Sequence, residues 1–239
     1  MERYNQYGLS RAIPAEVKRQ IRQKCGFGCV ICASPIIGYE HVDPIFVLAK
    51  EHSPEAMTLL CPTCHAKVTK RIYSKEKVKK AMREPAARIQ GKISDKLDFS
   101  EGEPLIKFGG ETFVNCKIPV MFQGEPLLQI EIEDGETLMS GRFYDSKGNL
   151  SLEIIKNEWV CDNRCWDVTV IGPTISVIEK KAGPRLVLTV APPKVFIIKR
   201  FDMLIRGVRL VGDGKRFRVN DFVCNNDTYI NNVIGFNIN

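Results

Sequence analysis

Two Cys-x-x-Cys pairs, Cys29/Cys32 and Cys61/Cys64, constrain this chain more than any other feature of its sequence. Each such turn presents two sulfurs at one vertex, and two of them close a tetrahedral shell, the geometry that zinc prefers. The spacing predicts a structural Zn²⁺ held by Cys29, Cys32, Cys61 and Cys64, with the chain between the pairs folded back on itself. Cys61-x-x-Cys64-His65 also has the shape of a c-type haem attachment site, but the distant second pair favours zinc. Cys25 is expected to be a buried thiol at a helix end, because four sulfurs already fill a tetrahedral shell. All three histidines, His41, His52 and His65, fall in the same window.

The residues Cys25-Gly26-Phe27-Gly28-Cys29-Val30-Ile31-Cys32, Tyr39-Glu40-His41-Val42-Asp43-Pro44, Glu51-His52 and Leu59-Leu60-Cys61-Pro62-Thr63-Cys64-His65 resemble the HNH endonuclease family, over a core of about 13–83. The resemblance implies a ββα-metal fold, in which a hairpin at about Gly38 to Leu48 and a helix starting near Pro62 clamp a divalent cation over a scissile phosphate. It implies Glu40 and His65 as ligands of that cation. The middle Asn of the family, which braces the loop that holds the base, has no counterpart: Ala56 stands there and its side chain cannot hydrogen-bond. Thr58 or Asp43 is the expected substitute brace. His52 reads as a plain loop residue in preference to a supporting partner of the site.

Chemistry points the same way. Phosphodiester hydrolysis needs an activated water and positive charge against the phosphate. An imidazole titrates near neutral pH, so His41 suits the role of general base. One carboxylate and one imidazole leave coordination positions open, which suits Mg²⁺ or Mn²⁺ better than a second zinc.

Charge is unevenly placed along the chain. Residues 1–99 carry 18 Lys+Arg against 10 Asp+Glu, while the remainder carries 17 against 18, so the whole net charge of +7 arises from the first part. Lys67, Lys70, Arg71 and Lys75 follow the last histidine and are expected to contact a nucleic-acid backbone. Lysines of this kind position a polyanion without reading sequence.

Pro14 is placed to start a helix with Val17, Ile21 and Cys25 on one side, and Ser74 to cap a helix through Met82. The polar stretch Pro85 to Glu103 reads as a linker. Beyond Leu105 the texture becomes strand-like: Leu127 to Ile132, Leu150 to Ile155, Trp166 to Ile171, Thr174 to Ile178, Leu186 to Val190 and Val195 to Ile198 are short apolar runs punctuated by turn residues. Asp145 to Asn149 reads as a tight turn, and Ala191-Pro192-Pro193 as a break between strands. Cys161 and Cys165 are expected to be buried free thiols, and Asn225 to Asn239 an edge strand or subunit contact.

These readings give an α+β protein: a zinc-stapled ββα module in residues 1–98 and an all-β domain in 99–239, sandwich or stacked. The expected activity is metal-dependent endonucleolytic hydrolysis, with DNA favoured by the resemblance. The alternatives are a catalytically weakened zinc module that binds nucleic acid, or a nuclease effector gated by its β-domain, which could also serve homo-oligomer assembly. No run is apolar enough to span a bilayer, Met1-Glu2-Arg3-Tyr4 lacks the apolar core of a secretory signal, and nine cysteines suit a reducing compartment, so no membrane partner and a cytoplasmic location are expected.

Overall fold

The computed structural model describes residues 4–99 and 102–239; Met1, Glu2 and Arg3 of the N-terminus, and Ser100 and Glu101 of the expected linker, lie outside the described residues. The chain divides into two compact units, Met1–Ser94 and Asp95–Asn239. Its class is mixed α+β: a small helix-and-strand region around four cysteines, then a large β-rich region of two mixed sheets. No helix among the described residues is long and apolar enough to cross a membrane.

In the first unit, helix α1 (Ala15–Cys25) follows Pro14 and buries Ile21 and Cys25. Proline suits this end of a helix because the missing N–H would have had no partner. Gly26 ends the helix at φ +73°, where its N–H and that of Phe27 return to Gln23 and Arg22. Strand β1 (Gly38–His41) pairs antiparallel with β2 (Met57–Leu60), Glu40 opposite Thr58 and His41 opposite Met57.

The expected hairpin at Gly38 to Leu48 is therefore corrected: the partner of β1 is β2, and Phe46–Leu48 is a 3₁₀ turn in the long connection between them. Past β1, the amides of Val42 and Asp43 both turn to the Ala56 carbonyl, at 2.9 and 3.4 Å, and Pro44 has no N–H with which to extend a ladder.

Helix α2 (Pro62–Thr69) begins immediately after β2, α3 (Lys75–Arg83) is capped by the Ser74 hydroxyl, which accepts from the Lys77 amide at 3.1 Å, and α4 (Ala86–Gln90) follows. The stretch expected to be a linker thus holds α4 and the strand Lys92–Lys96, and the units divide at Ser94/Asp95, ahead of the expected 98/99. A polar sequence with one apolar residue per turn still folds when that residue is buried, as Ala87 and Ile93 are.

The second unit contains every strand segment expected there. One sheet of this unit has the order Ile234–Ile238, Ile118–Phe122, Glu125–Glu133, Glu136–Tyr144, Leu150–Ile155 and Glu158–Asp162. The other is organised on the long strand Val195–Ile205. Its first half pairs with Arg185–Ala191 and, in parallel, with Leu105–Phe108, and its second half pairs with Val208–Gly212.

Asp145 to Asn149 forms a turn in which the Asp145 carboxylate accepts from the Lys147 and Asn149 amides. The C-terminal stretch supplies two edge strands, Thr228–Ile230 beside Glu111–Val114 and Ile234–Ile238 beside Ile118–Phe122, both parallel. Cys161 is buried as expected, but Cys165 is half-buried; both thiols lie on the Asp162 carbonyl, at 3.5 and 3.6 Å.

Glu111 is fully buried, and its two carboxylate oxygens accept the Asn226 and Asp227 amides at 3.1 and 2.8 Å. This carboxylate pins the chain leading into Thr228–Ile230. Glu111→Ala removes the protein acceptor of both amides, at a cost of about 0.5–1.5 kcal/mol each. Chemical denaturation should register the loss, and hydrogen exchange should quicken at residues 226–230. Unchanged stability with unchanged exchange would show that the carboxylate pins nothing.

Candidate metal centre and histidine cleft

The two cysteine pairs arrive by different local devices. Cys29 and Cys32 sit on a tight knuckle after α1, held by hydrogen bonds from the Cys29 amide to Ser34 O and from the Ala33 amide to Cys29 O, both 2.8 Å. Gly28 is required there, since a Cβ would lie 2.5 Å from the Ala33 carbonyl oxygen. The Val30 amide docks this knuckle on β2 through the Leu59 carbonyl at 3.0 Å. Cys61 is the N-cap of α2, and its sulfur accepts the Cys64 amide at 3.3 Å, so the second knuckle is a helix start.

Together the four sulfurs lie within 4.8 Å of one another, with Cys32–Cys61 at 3.6 Å and Cys32–Cys64 at 3.8 Å. A tetrahedral zinc with bonds of about 2.3 Å has sulfur–sulfur edges of about 3.8 Å. The donor set and its spacing therefore fit a structural Zn²⁺.

Close packing divides the sulfurs in their readiness to ionise. Burial, with Cys29 nearby and against the pull of the Ser34 amide, pushes the Cys32 thiol up to about 11. Burial and the neighbouring Cys61 raise Cys64, whereas Cys61, despite its own burial, is drawn down by the Cys64 amide and by the thiols around it. A dication reverses this balance by replacing thiol protons. The fifth sulfur, Cys25, stays outside the cluster; its thiol is buried against Thr58 Oγ1 at 3.7 Å, and burial raises it.

The β1–β2–α2 segment carries a second constellation. Because α2 starts directly from β2, and β2 is the partner of β1, His65 comes to lie beside Glu40: Nε2 and Oε2 are 3.1 Å apart. Both are partly open to solvent, with 51 % of the His65 side chain and 38 % of Glu40 exposed. His41, next along β1, is only 7 % exposed. All three line a cleft of about 260 Å³, together with His52 and Arg11.

His41 Nε2 lies 3.0 Å from His52 Nδ1, and His52 Nε2 lies 2.8 Å from the Ser10 carbonyl oxygen. His41 Nδ1 is buried without a hydrogen-bond partner. Burial, and then the nearby His52 ring, lower the basicity of His41 below that of a free imidazole.

Two expectations need correction here. His52 is no plain loop residue but a direct partner of His41, a contact invisible in sequence because eleven residues separate them. Neither substitute brace is used: Thr58 faces Cys25, and Asp43 pairs with Lys79 at 2.7 Å. The carbonyl of Ala56 braces the loop instead, a role that requires no side chain. Arg11 was also missed; its guanidinium lies 4.4 Å from the Phe46 ring centroid, and Phe46 meets His41 edge-on.

Of the expected nucleic-acid contacts, Lys70, Arg71 and Lys75 are exposed, whereas Lys67 is half-buried with its ammonium 5.2 Å from the Tyr73 ring centroid. Among the described residues, the four cysteines form the one cluster of three or more ligand side chains able to hold a metal. Searches of family models, curated proteins and solved structures return no match to this chain.

The purified protein should contain one zinc per chain by elemental analysis, with affinity falling as pH is lowered because protons compete for the sulfurs. Chelation or Cys61→Ala should abolish the cooperative unfolding of the first unit. A chain that folds unchanged without zinc would remove the structural assignment.

Proposed function

We propose that the chain is a metal-dependent phosphodiester hydrolase of the HNH type, with nucleic acid, DNA foremost, as its substrate. The observation that carries this reading is the shared cleft: a carboxylate–imidazole pair, Glu40 and His65, opens beside a buried imidazole whose Nδ1 has no partner. Glu40 and His65 would hold a divalent cation, Mg²⁺ or Mn²⁺, and two ligands 3.1 Å apart suit adjacent positions of an octahedral shell with bonds of about 2.1 Å. Such an ion supplies positive charge against the phosphate oxygens.

His41 acts as the general base. Its depressed basicity keeps the ring neutral, and so able to take a proton, near pH 7. As it removes a proton from water, the water oxygen forms a bond to phosphorus, and the bond to the leaving oxygen breaks with its electron pair on that oxygen. The exposed Lys70, Arg71 and Lys75 follow His65 and offer the phosphate backbone a positively charged approach. The unbridged thiols suit a reducing compartment such as the cytoplasm.

A zinc module that only binds nucleic acid is the competing reading. The direct Glu40–His65 contact favours it, because a hydrogen bond between the two side chains occupies both without a cation.

Cleavage of unrelated DNAs should require Mg²⁺ or Mn²⁺, and His41→Ala should lower kcat by about 10²–10⁴-fold. Glu40→Gln and His65→Ala should weaken metal binding and so raise the Mg²⁺ or Mn²⁺ concentration that cleavage requires. Replacing Lys70 or Arg71 with alanine should each reduce the salt slope of DNA binding by about 1. Tight DNA binding with no cleavage at any metal concentration would select the binding module instead.

A further inference from the structure

We propose that Cys161 and Cys165 form a dithiol site for thiol–disulfide exchange, oxidised to an internal disulfide by a small-molecule disulfide of the glutathione type. The site lies wholly within Asp95–Asn239 and is independent of the hydrolase reading. Four of the nine cysteines form the metal cluster; Cys161 and Cys165 are a further pair whose thiols meet.

Local structure brings the two together. Cys161 is fixed on the strand Glu158–Asp162 opposite Leu152, and just past Cys165 the Trp166 amide is held by the Ile178 carbonyl at 2.8 Å. Between these anchors the chain passes from one sheet to the other. It turns sharply there, because the Asp162 carboxylate accepts the Arg164 amide at 2.7 Å. Residues four apart along an extended strand stand about 13 Å from each other. The turn instead places both sulfurs on one atom, the Asp162 carbonyl oxygen, at 3.5 and 3.6 Å, with the two thiols hydrogen-bonded to each other.

The sulfurs differ in access. Cys161 is fully buried, whereas Cys165 is half-buried and opens on a cleft of about 300 Å³ lined by Asp162, Arg164 and Glu179. Cys165 is therefore the sulfur that an incoming disulfide reaches, and Cys161 the one that stands behind it. The hydrogen-bonded Cys165, and then burial, hold the Cys161 thiol well above its ordinary value, so Cys161 does not react first.

The exchange proceeds by two displacements. Cys165 gives its proton to solvent, and its thiolate attacks one sulfur of the incoming disulfide; a mixed disulfide forms, and the other sulfur leaves with the electron pair and takes up a proton. With Cys165 bonded to sulfur, the hydrogen bond that most restrains Cys161 is gone. Cys161 then loses its proton and attacks the Cys165 sulfur, the internal S–S bond forms, and the second small thiolate leaves and is protonated. The protein has lost two electrons and two protons, and the small disulfide has become two thiols. In a reducing compartment such a bond is transient.

Full-length, zinc-loaded protein treated with oxidised glutathione provides the test. Arg164 lies between the two cysteines, so trypsin separates them, and the internal disulfide joins peptides 157–164 and 165–180. Mass spectrometry should find that joined pair, lighter by two hydrogens than the sum of its members and lost again on treatment with dithiothreitol. It should form at least about 10-fold faster than any adduct on the buried Cys116 or Cys224. Cys161→Ser should stop at glutathione on Cys165, and Cys165→Ser should abolish both products. A stable glutathione adduct on wild-type Cys165, or both thiols left unmodified in the folded protein, overturns the proposal. If either serine variant fails to fold, the wild-type peptide map still decides, and it reads this pair separately from any oxidation of the zinc sulfurs.

Discussion

Convergence of four sulfurs is the constraint on which the first unit depends. The buried core there consists of Ile21, Cys25, Val30, Met57, Leu59 and Leu60 together with Cys29, Cys61 and Cys64, so three of the four clustered sulfurs belong to the hydrophobic core. A unit this small buries too little apolar surface to be secure by packing alone, and a metal that binds only the folded arrangement adds its binding free energy to folding. The same closure sets the cleft. Fixing one knuckle after α1 and the other at the start of α2 holds β2 between them, and β2 carries β1 by register. Glu40, His41 and His65 meet because the sulfurs do.

Much of this was legible in the sequence because the relevant signals are local. Cys-x-x-Cys spacing, Pro14 before a helix, Ser74 as a cap and the short apolar runs after Leu105 each report on a few neighbouring residues. The partner of β1 was not legible. Val42 and Asp43 look like a continuing strand until the Ala56 carbonyl, arriving from the end of a long connection, takes both amides. The same carbonyl explains why Ala56 is tolerated where a hydrogen-bonding side chain was expected. Side-chain chemistry is written in the sequence, whereas a backbone carbonyl is present at every position and announces nothing. His52 was obscured for a related reason: its significance comes from Ser10 O and His41 Nε2, one far upstream and one across the loop.

The second unit is legible in the sequence as strands. Its hairpins follow from turn chemistry, while the parallel placement of Leu105–Phe108 beside Val195–Ile198, and of the two C-terminal strands, depends on contacts distant in sequence. Buried Glu111 shows how such a distant segment is retained, by exchanging a solvated carboxylate for two backbone amides. The four-cysteine cluster and the histidine cleft are both built within Met1–Ser94.

Anomalous diffraction from crystals of the zinc-loaded protein soaked in Mn²⁺ tests the central claim most directly, because it locates each metal separately. The account predicts a zinc peak enclosed by the sulfurs of Cys29, Cys32, Cys61 and Cys64 and a manganese peak bound by Glu40 and His65. A zinc peak away from the sulfurs, or Glu40 and His65 still paired with each other while manganese binds elsewhere, would contradict it.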